Sequence, residues 1–327
     1  MHTGKEPAGE DELGKLSEVL ERPLLTGALA EAHETPWRGS PGRALAVATP
    51  TDLQEVRAVI RWALDSHTTI LPQGANTGLV GASTPPPDGP RPLVVSTDAL
   101  TRRLEIHESD AVAIVDAGVR LSQLNEAAST FGMQLPIDLA ADPSLGAMVA
   151  TNTGGTRVLA HGDMSHHLLG IEAVVADPDA SVVGNLDCLR KDNTGPDPTR
   201  LLVGSGGAFG LITSVALELS PVPAERATVL AGPMSDTHAV ALLTNMRREL
   251  RSTLSAFEVM CPAAVGASLE VNRLTGTVEC GADPEVLVLV EASGDIGVAD
   301  LLVEAVADSA ADGTGVPGVL LPTGQAW

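Results

Sequence analysis

Leu71-Pro-Gln-Gly-Ala-Asn-Thr-Gly-Leu-Val-Gly81 is the stretch on which the reading of this chain turns. Gly74, Gly78 and Gly81 stand around Asn76 and Thr77, and none of the eleven residues is charged. The β-branched Thr68-Thr69-Ile70 before it predicts a short strand that runs into a tight loop. Glycines let a backbone take positive φ and let a ligand come close. Successive N–H groups that turn inward form a concave, partly positive nest for phosphate oxygens. Such a nest needs no Lys or Arg, and Asn76 and Thr77 can add side-chain donors at its rim. A surface turn built from ordinary turn-formers is the plain alternative.

Composition sets the wider bounds. A chain of 327 residues with 44% hydrophobic content can bury two cores. Its 20 Lys and Arg against 42 Asp and Glu give a formal charge of −22, which repels nucleic acid and anionic membrane surfaces alike. Any anionic ligand must therefore be held by local backbone donors. Cys188, Cys261 and Cys280 form no C-x-x-C pair, which suits reduced thiols and gives no zinc signature. No stretch reaches transmembrane length and the first residues lack an apolar signal core, so a soluble, cytoplasmic protein is expected. The absence of tyrosine excludes a phenol base from this chain.

Before the loop, residues 9–21 predict an amphipathic helix. Gly9-Glu-Asp-Glu-Leu-Gly14-Lys15-Leu16 there approaches a P-loop, but no strand precedes it and Leu16 replaces the magnesium-binding hydroxyl. Thr49-Pro-Thr-Asp-Leu53 opens a second helix, whose apolar face is Val56, Val59, Ile60, Ala63 and Leu64. Beyond the loop, Leu93–Ser96, Arg103–His107 and Ala111–Ala117 predict strands, and Leu121–Phe131 a helix closed by Gly132. A second marked stretch, Leu135 to Gly155, is rich in small residues: Ser144, Gly146, Ala147, Ala150, Thr151, Gly154 and Gly155. It lets a large flat group, or a packed helix, approach its backbone. His161-Gly-Asp163-Met-Ser-His166-His167 matches no established metal-ligand spacing, and no metal is expected. A third stretch, Gly204-Ser-Gly-Gly-Ala-Phe-Gly-Leu-Ile-Thr213, leads into the strand-like Leu211–Ser220. A Rossmann fingerprint needs a helix there. Pro221-Val-Pro223 marks a boundary, followed by a predicted helix over 239–251, a strand over 286–291 and a helix over 301–311.

The three loops in this order resemble the FAD-binding domain of the vanillyl-alcohol-oxidase-type flavoproteins. The resemblance is greatest to the FAD-linked oxidase branch of D-lactate and D-2-hydroxyglutarate dehydrogenases and glycolate oxidase FAD subunits. It implies an α+β fold: a two-subdomain, PCMH-type FAD-binding domain over 41–221, after a helical extension over 1–40 and before a partial α+β cap over 222–327. It implies non-covalent FAD, with Pro72, Gln73, Gly74, Ala75, Asn76, Thr77, Gly78 and Leu79 at the pyrophosphate. Ser144, Gly146, Ala147, Thr151, Asn152 and Gly154 would line the flavin and ribityl, and Ile212 would contact the flavin edge. The sequence departs from the family at Ala75, Ala147, Met148, Pro196 and Pro198.

The implied activity is hydride transfer from a small D-2-hydroxy acid to the flavin, with the electron acceptor unknown. The family's His-rich active-site stretch has no counterpart before Trp327. Residues 224–327 offer His238 and Arg226, Arg247, Arg248, Arg251 and Arg273, and no catalytic base can be named. The alternative is a non-catalytic or truncated FAD-binding subunit that works in a complex, with a partner subunit or a further copy of itself.

Overall fold

The computed structural model describes residues 10–195, 197–261, 263–264, 286–311 and 318–321. Mixed helix and strand build an α+β chain that divides into two compact units. The first comprises residues 1–135, 141–153 and 163–221; the second comprises 136–140, 154–162 and 222–327.

The first unit contains two principal sheets. In one, strands β1 (Ala46–Ala48), β2 (Ile70–Gln73) and β3 (Leu93–Ser96) run parallel in the order β1-β3-β2. Parallel neighbours require a crossover, and the helix Leu53–Asp65 supplies the one from β1 to β2. Asp52 caps that helix by accepting from the N–H groups of Gln54 and Glu55 at 2.9 and 3.0 Å. Val56, Val59, Ile60, Trp62 and Ala63 are its buried face, as the 3.6-residue period predicts.

The second sheet is antiparallel. Strands β4 (Leu104–His107), β5 (Val112–Asp116), β7 (Leu168–Val174), β8 (Val182–Asn185) and β9 (Leu211–Glu218) lie in the order β4-β5-β9-β7-β8. Central β9 is buried from Leu211 to Leu217, which accounts for its nearly continuous apolar sequence. β6 (Met133–Gln134) and β10 (Ser220–Pro221) make a small separate ladder.

In the second unit, β11 (Glu225–Met234), β12 (Leu254–Met260), β13 (Val286–Gly294) and β14 (Gly318–Leu321) form an antiparallel sheet in the order β12-β13-β11-β14. The helices Asp236–Glu249 and Val298–Ala311 cover one face. Their Leu242, Met246, Leu302 and Val306 pack on Ala227, Val229, Val288 and Val290. The predicted strand over 286–291 and helix over 301–311 are both present and longer than expected. β11 and β12 were not among the sequence expectations. Cys280, Arg273 and the stretch 324–327 lie outside the described residues.

Candidate cofactor site

β2 delivers the loop. Gln73 ends the strand fully buried, and its side chain is spent on the fold: Nε2 donates to the carbonyls of His33 and Ser83 at 2.9 and 2.6 Å, and Oε1 meets His33 Nδ1 at 2.5 Å. Asn76 is spent in the same way. Its Nδ2 donates to the carbonyls of Ala32 and Thr35 at 3.2 and 3.0 Å, while Oδ1 accepts from Ser83 Oγ at 3.0 Å. The expectation that the Asn76 amide serves the rim is therefore corrected: it pins the loop, with its backbone at φ +53. What the loop leaves free is its main chain. Among the described residues, none of the N–H groups of residues 74–79 donates a hydrogen bond. Backbone donors left open are rare unless water or a ligand takes them.

The glycines divide by cause. Gly81 takes the left-handed φ of +68, whereas Gly74 and Gly78 do not have positive φ. A Cβ on Gly74 would lie 2.4 Å from Ser144 Oγ and 2.6 Å from Ala147 Cβ, so this glycine lets the loop lie against the second marked stretch. A Cβ on Gly78 would meet nothing within 4 Å. Neither packing nor backbone shape asks for glycine at 78.

Residues 145–150 of that second stretch form a short helix after Ser144. The Gly146 N–H donates to Ala117 O at 2.9 Å, and a Cβ there would strike Ala117. Ser144 is wholly buried, and its Oγ has no hydrogen-bond partner. A buried hydroxyl without a partner costs about 1–3 kcal/mol, so its retention beside Gly74 points to a missing acceptor or donor. Thr151 Oγ1 donates to Ala147 O at 2.8 Å. Asn152, at φ +48, bonds Asp163 Oδ2 through Nδ2 and accepts from the Ser165 N–H, both at 2.9 Å. Asp163 also accepts from Ser165 Oγ and pairs with His166, and these contacts hold its carboxyl far below the usual carboxylate range, the Ser165 bond foremost. Asp163 is thus a helix cap and a brace for Asn152.

Pro72, Gln73, Gly74, Gly146, Ala147, Thr151 and Ile212 line one open cleft of the first unit. Ala75, Asn76, Thr77, Gly78 and Leu79 continue the loop from it, Ser144 lies behind Gly74, and Gly154 belongs to the second unit. The fold adds Ala82, Ser83, Thr97, Ala150, Gly206, Gly207, Gly210 and Leu211, none of which was picked out as a cofactor residue from the sequence. Gly206 and Gly207 carried a signal, the Gly-Ser-Gly-Gly run, and a Cβ on Gly207 would touch Pro72 Cγ at 2.8 Å. Thr97 carried none, because only the parallel sheet brings β3 beside β2.

An uncharged row of open N–H groups, an orphaned hydroxyl and a wall of Gly and Ala fit a dinucleotide with a flat ring better than a compact anion. That is the donor set of a flavin-nucleotide domain. The family described as "FAD binding domain" matches residues 44–183. Over 257 residues the chain is 35% identical to the mitochondrial D-2-hydroxyglutarate dehydrogenase of Bos taurus, covering 77% of this chain and 46% of that protein. It is 35% identical over 226 residues to the D-lactate dehydrogenase of Archaeoglobus fulgidus, covering 68% and 48%. The chain thus spans about half the length of the curated relatives it matches. Alkyldihydroxyacetonephosphate synthase shares the fold at a TM-score of 0.80 and 17% identity, covering 99% of this chain and 63% of that one. Residues 44–183 thus form an FAD-binding domain, and FAD is the cofactor.

Proposed function

We propose that this chain holds FAD without a covalent bond and works as an oxidoreductase on a small D-2-hydroxy acid. The observation that carries the reading is the unpaired run of N–H groups from 74 to 79, beside a cleft whose lining has no charged residue. The relatives named above, dehydrogenases of D-2-hydroxyglutarate and D-lactate, supply the substrate class. FAD, when bound, supplies a two-electron acceptor for the substrate's C–H bond. The chain's own part is to hold and shield. The loop's N–H groups take the pyrophosphate oxygens, Asn76 keeps the loop in shape, and Ser144 Oγ gains a partner. Gly146, Ala147, Ala150 and Thr151 admit a flat ring, while buried Leu211 and Ile212 keep water from its edge.

No His, Cys, Asp, Glu or Lys is among the residues lining the cleft, which supports non-covalent attachment and leaves the hydroxyl proton to a group outside it. The same observation favours the second reading, an FAD-binding subunit without turnover of its own. Anaerobic addition of D-lactate and D-2-hydroxyglutarate to the FAD-loaded protein separates the two. Bleaching of the flavin absorbance by one acid is the expected result. A spectrum that no acid changes favours the subunit, and a protein that cannot be loaded with FAD contradicts both.

A further inference from the structure

FAD carries two flat ring systems, and the cofactor cleft accounts for one of them. A second groove of the first unit, about 240 Å³ in volume, adjoins that cleft, since Pro72 and Gly207 line both. From Pro72 it follows β2 back to Ile70 and Thr68, away from the loop that begins after Gln73. Ile60 and Leu64 of the helix Leu53–Asp65 form one wall, and Val174 at the end of β7 belongs to the lining too. Among the described residues that line the groove none is charged, and Thr68 alone has a polar side chain. Thr68 Oγ1 accepts from Ser66 Oγ at 2.9 Å and keeps its own proton to donate.

Phe209 borders this groove with 62% of its surface exposed. A singly exposed apolar side chain is ordinary. This one, however, is one of three phenylalanines in a chain without tyrosine, and it stands over an uncharged groove continuous with the cofactor cleft. Gly207, at φ +84 and with a would-be Cβ 2.8 Å from Pro72 Cγ, turns the chain close against β2 just before it. The Phe209 N–H donates no hydrogen bond among the described residues. Sites for drug-sized ligands run to roughly 300–1,000 Å³, so this smaller groove suits a single ring system. A phosphate or carboxylate would meet no cation there. A neutral purine needs none: its faces are apolar and its ring nitrogens accept from a hydroxyl or an N–H. We propose that Phe209 stacks on the adenine ring of FAD over this groove and sets the preference for the dinucleotide over a mononucleotide flavin. This rests on FAD as the cofactor and names the residue that reads its adenine end.

The test is calorimetric titration of the flavin-free full chain with FAD, FMN and ADP, for the wild type, Phe209→Ala, Phe209→Trp and Phe131→Ala. Phe131, 43% exposed beyond the helix Leu121–Ser129, is a control that lines neither groove nor cleft. Thermal melting checks the fold of each variant. The worth of a base stacked on an aromatic ring sets the expected loss in Phe209→Ala at about fivefold or more, for FAD and for ADP alike. FMN has no adenine and should bind Phe209→Ala as it binds the wild type. Phe209→Trp and Phe131→Ala should keep wild-type affinity for FAD. Wild-type FAD affinity in a folded Phe209→Ala protein would overturn the proposal and leave FAD binding itself in place. So would equal weakening of FAD and FMN, which puts Phe209 at the flavin end or in the shape of the loop. If the wild type takes up neither FAD nor FMN, the cofactor reading falls and the proposal with it.

Discussion

Gly74→Val is expected to empty the protein of flavin. The new Cβ would be built 2.4 Å from Ser144 Oγ and 2.6 Å from Ala147 Cβ, and the extra methyls enlarge the conflict. The loop must lift from the helix Leu145–Ala150, and overpacking of this kind costs about 1–3 kcal/mol of stability. The larger effect is on the ligand. If two charge-assisted hydrogen bonds from the N–H row are lost, at roughly 1.5 kcal/mol each, FAD affinity falls about a hundredfold. Bulk at Gly74 is therefore expected to cost stability as well as cofactor. Gly78→Ala is the companion variant. A Cβ there meets nothing within 4 Å, so stability should stay within about 0.5 kcal/mol of wild type. Flavin loss in that variant would report the ligand side of the loop alone. Urea melts and flavin absorbance after gel filtration read both; full FAD retention in Gly74→Val contradicts the cradle.

The second large effect belongs to Glu291. Its side chain and that of Arg157 are each only 12% exposed, so the pair is largely desolvated. Breaking a buried pair from one side leaves an uncompensated charge and costs about 3–5 kcal/mol. Glu291→Ala is placed at the lower part of that range, because Arg157 keeps its pair with Asp138 at 2.8 Å. Burial raises the Glu291 pKa, but the bonds from Arg157 and Ser255 and the charges of Arg157 and Arg226 outweigh it, and the net shift is downward. A depressed folded-state carboxyl contributes stability above the ordinary carboxylate range and loses it as pH falls through the lowered value. The stability gap between wild type and Glu291→Gln, read from urea melts, should therefore be widest at neutral pH and close on acidification. A gap that stays constant with pH would show that the pair carries none of it.

The parts of the fold and site legible in the sequence are those fixed locally. Asp52 and the period from Val56 gave the first crossover helix, and the strand-like Leu211–Ser220 after the third Gly-rich loop excluded a Rossmann turn. The uncharged loop marked itself, since an anion there must be held without Lys or Arg. Long-range placement was not legible. Arg157 and Glu291 are 134 residues apart, and no local pattern says that 136–140 and 154–162 join the second unit. Gly155 is the physical reason for part of it: a Cβ would lie 2.4 Å from Asp138 O, so only glycine lets those two segments close. Thr97 and Ser83 entered the cleft through the parallel pairing of β2 with β3 and the fold-back of the loop. The Gln73 and Asn76 side chains looked available because their partners, His33, Ala32 and Thr35, lie some forty residues upstream.

The central claim is that the main-chain N–H groups of residues 74–79 hold the FAD pyrophosphate. Hydrogen–deuterium exchange over peptides spanning residues 70–84, with FAD bound and with FAD removed, measures those groups themselves. Without FAD they have no acceptor among the described residues and should exchange quickly. With FAD they should become protected, while the Leu93–Ser96 strand changes little. Equal exchange of residues 74–79 in the two states, with FAD demonstrably bound, would contradict the account.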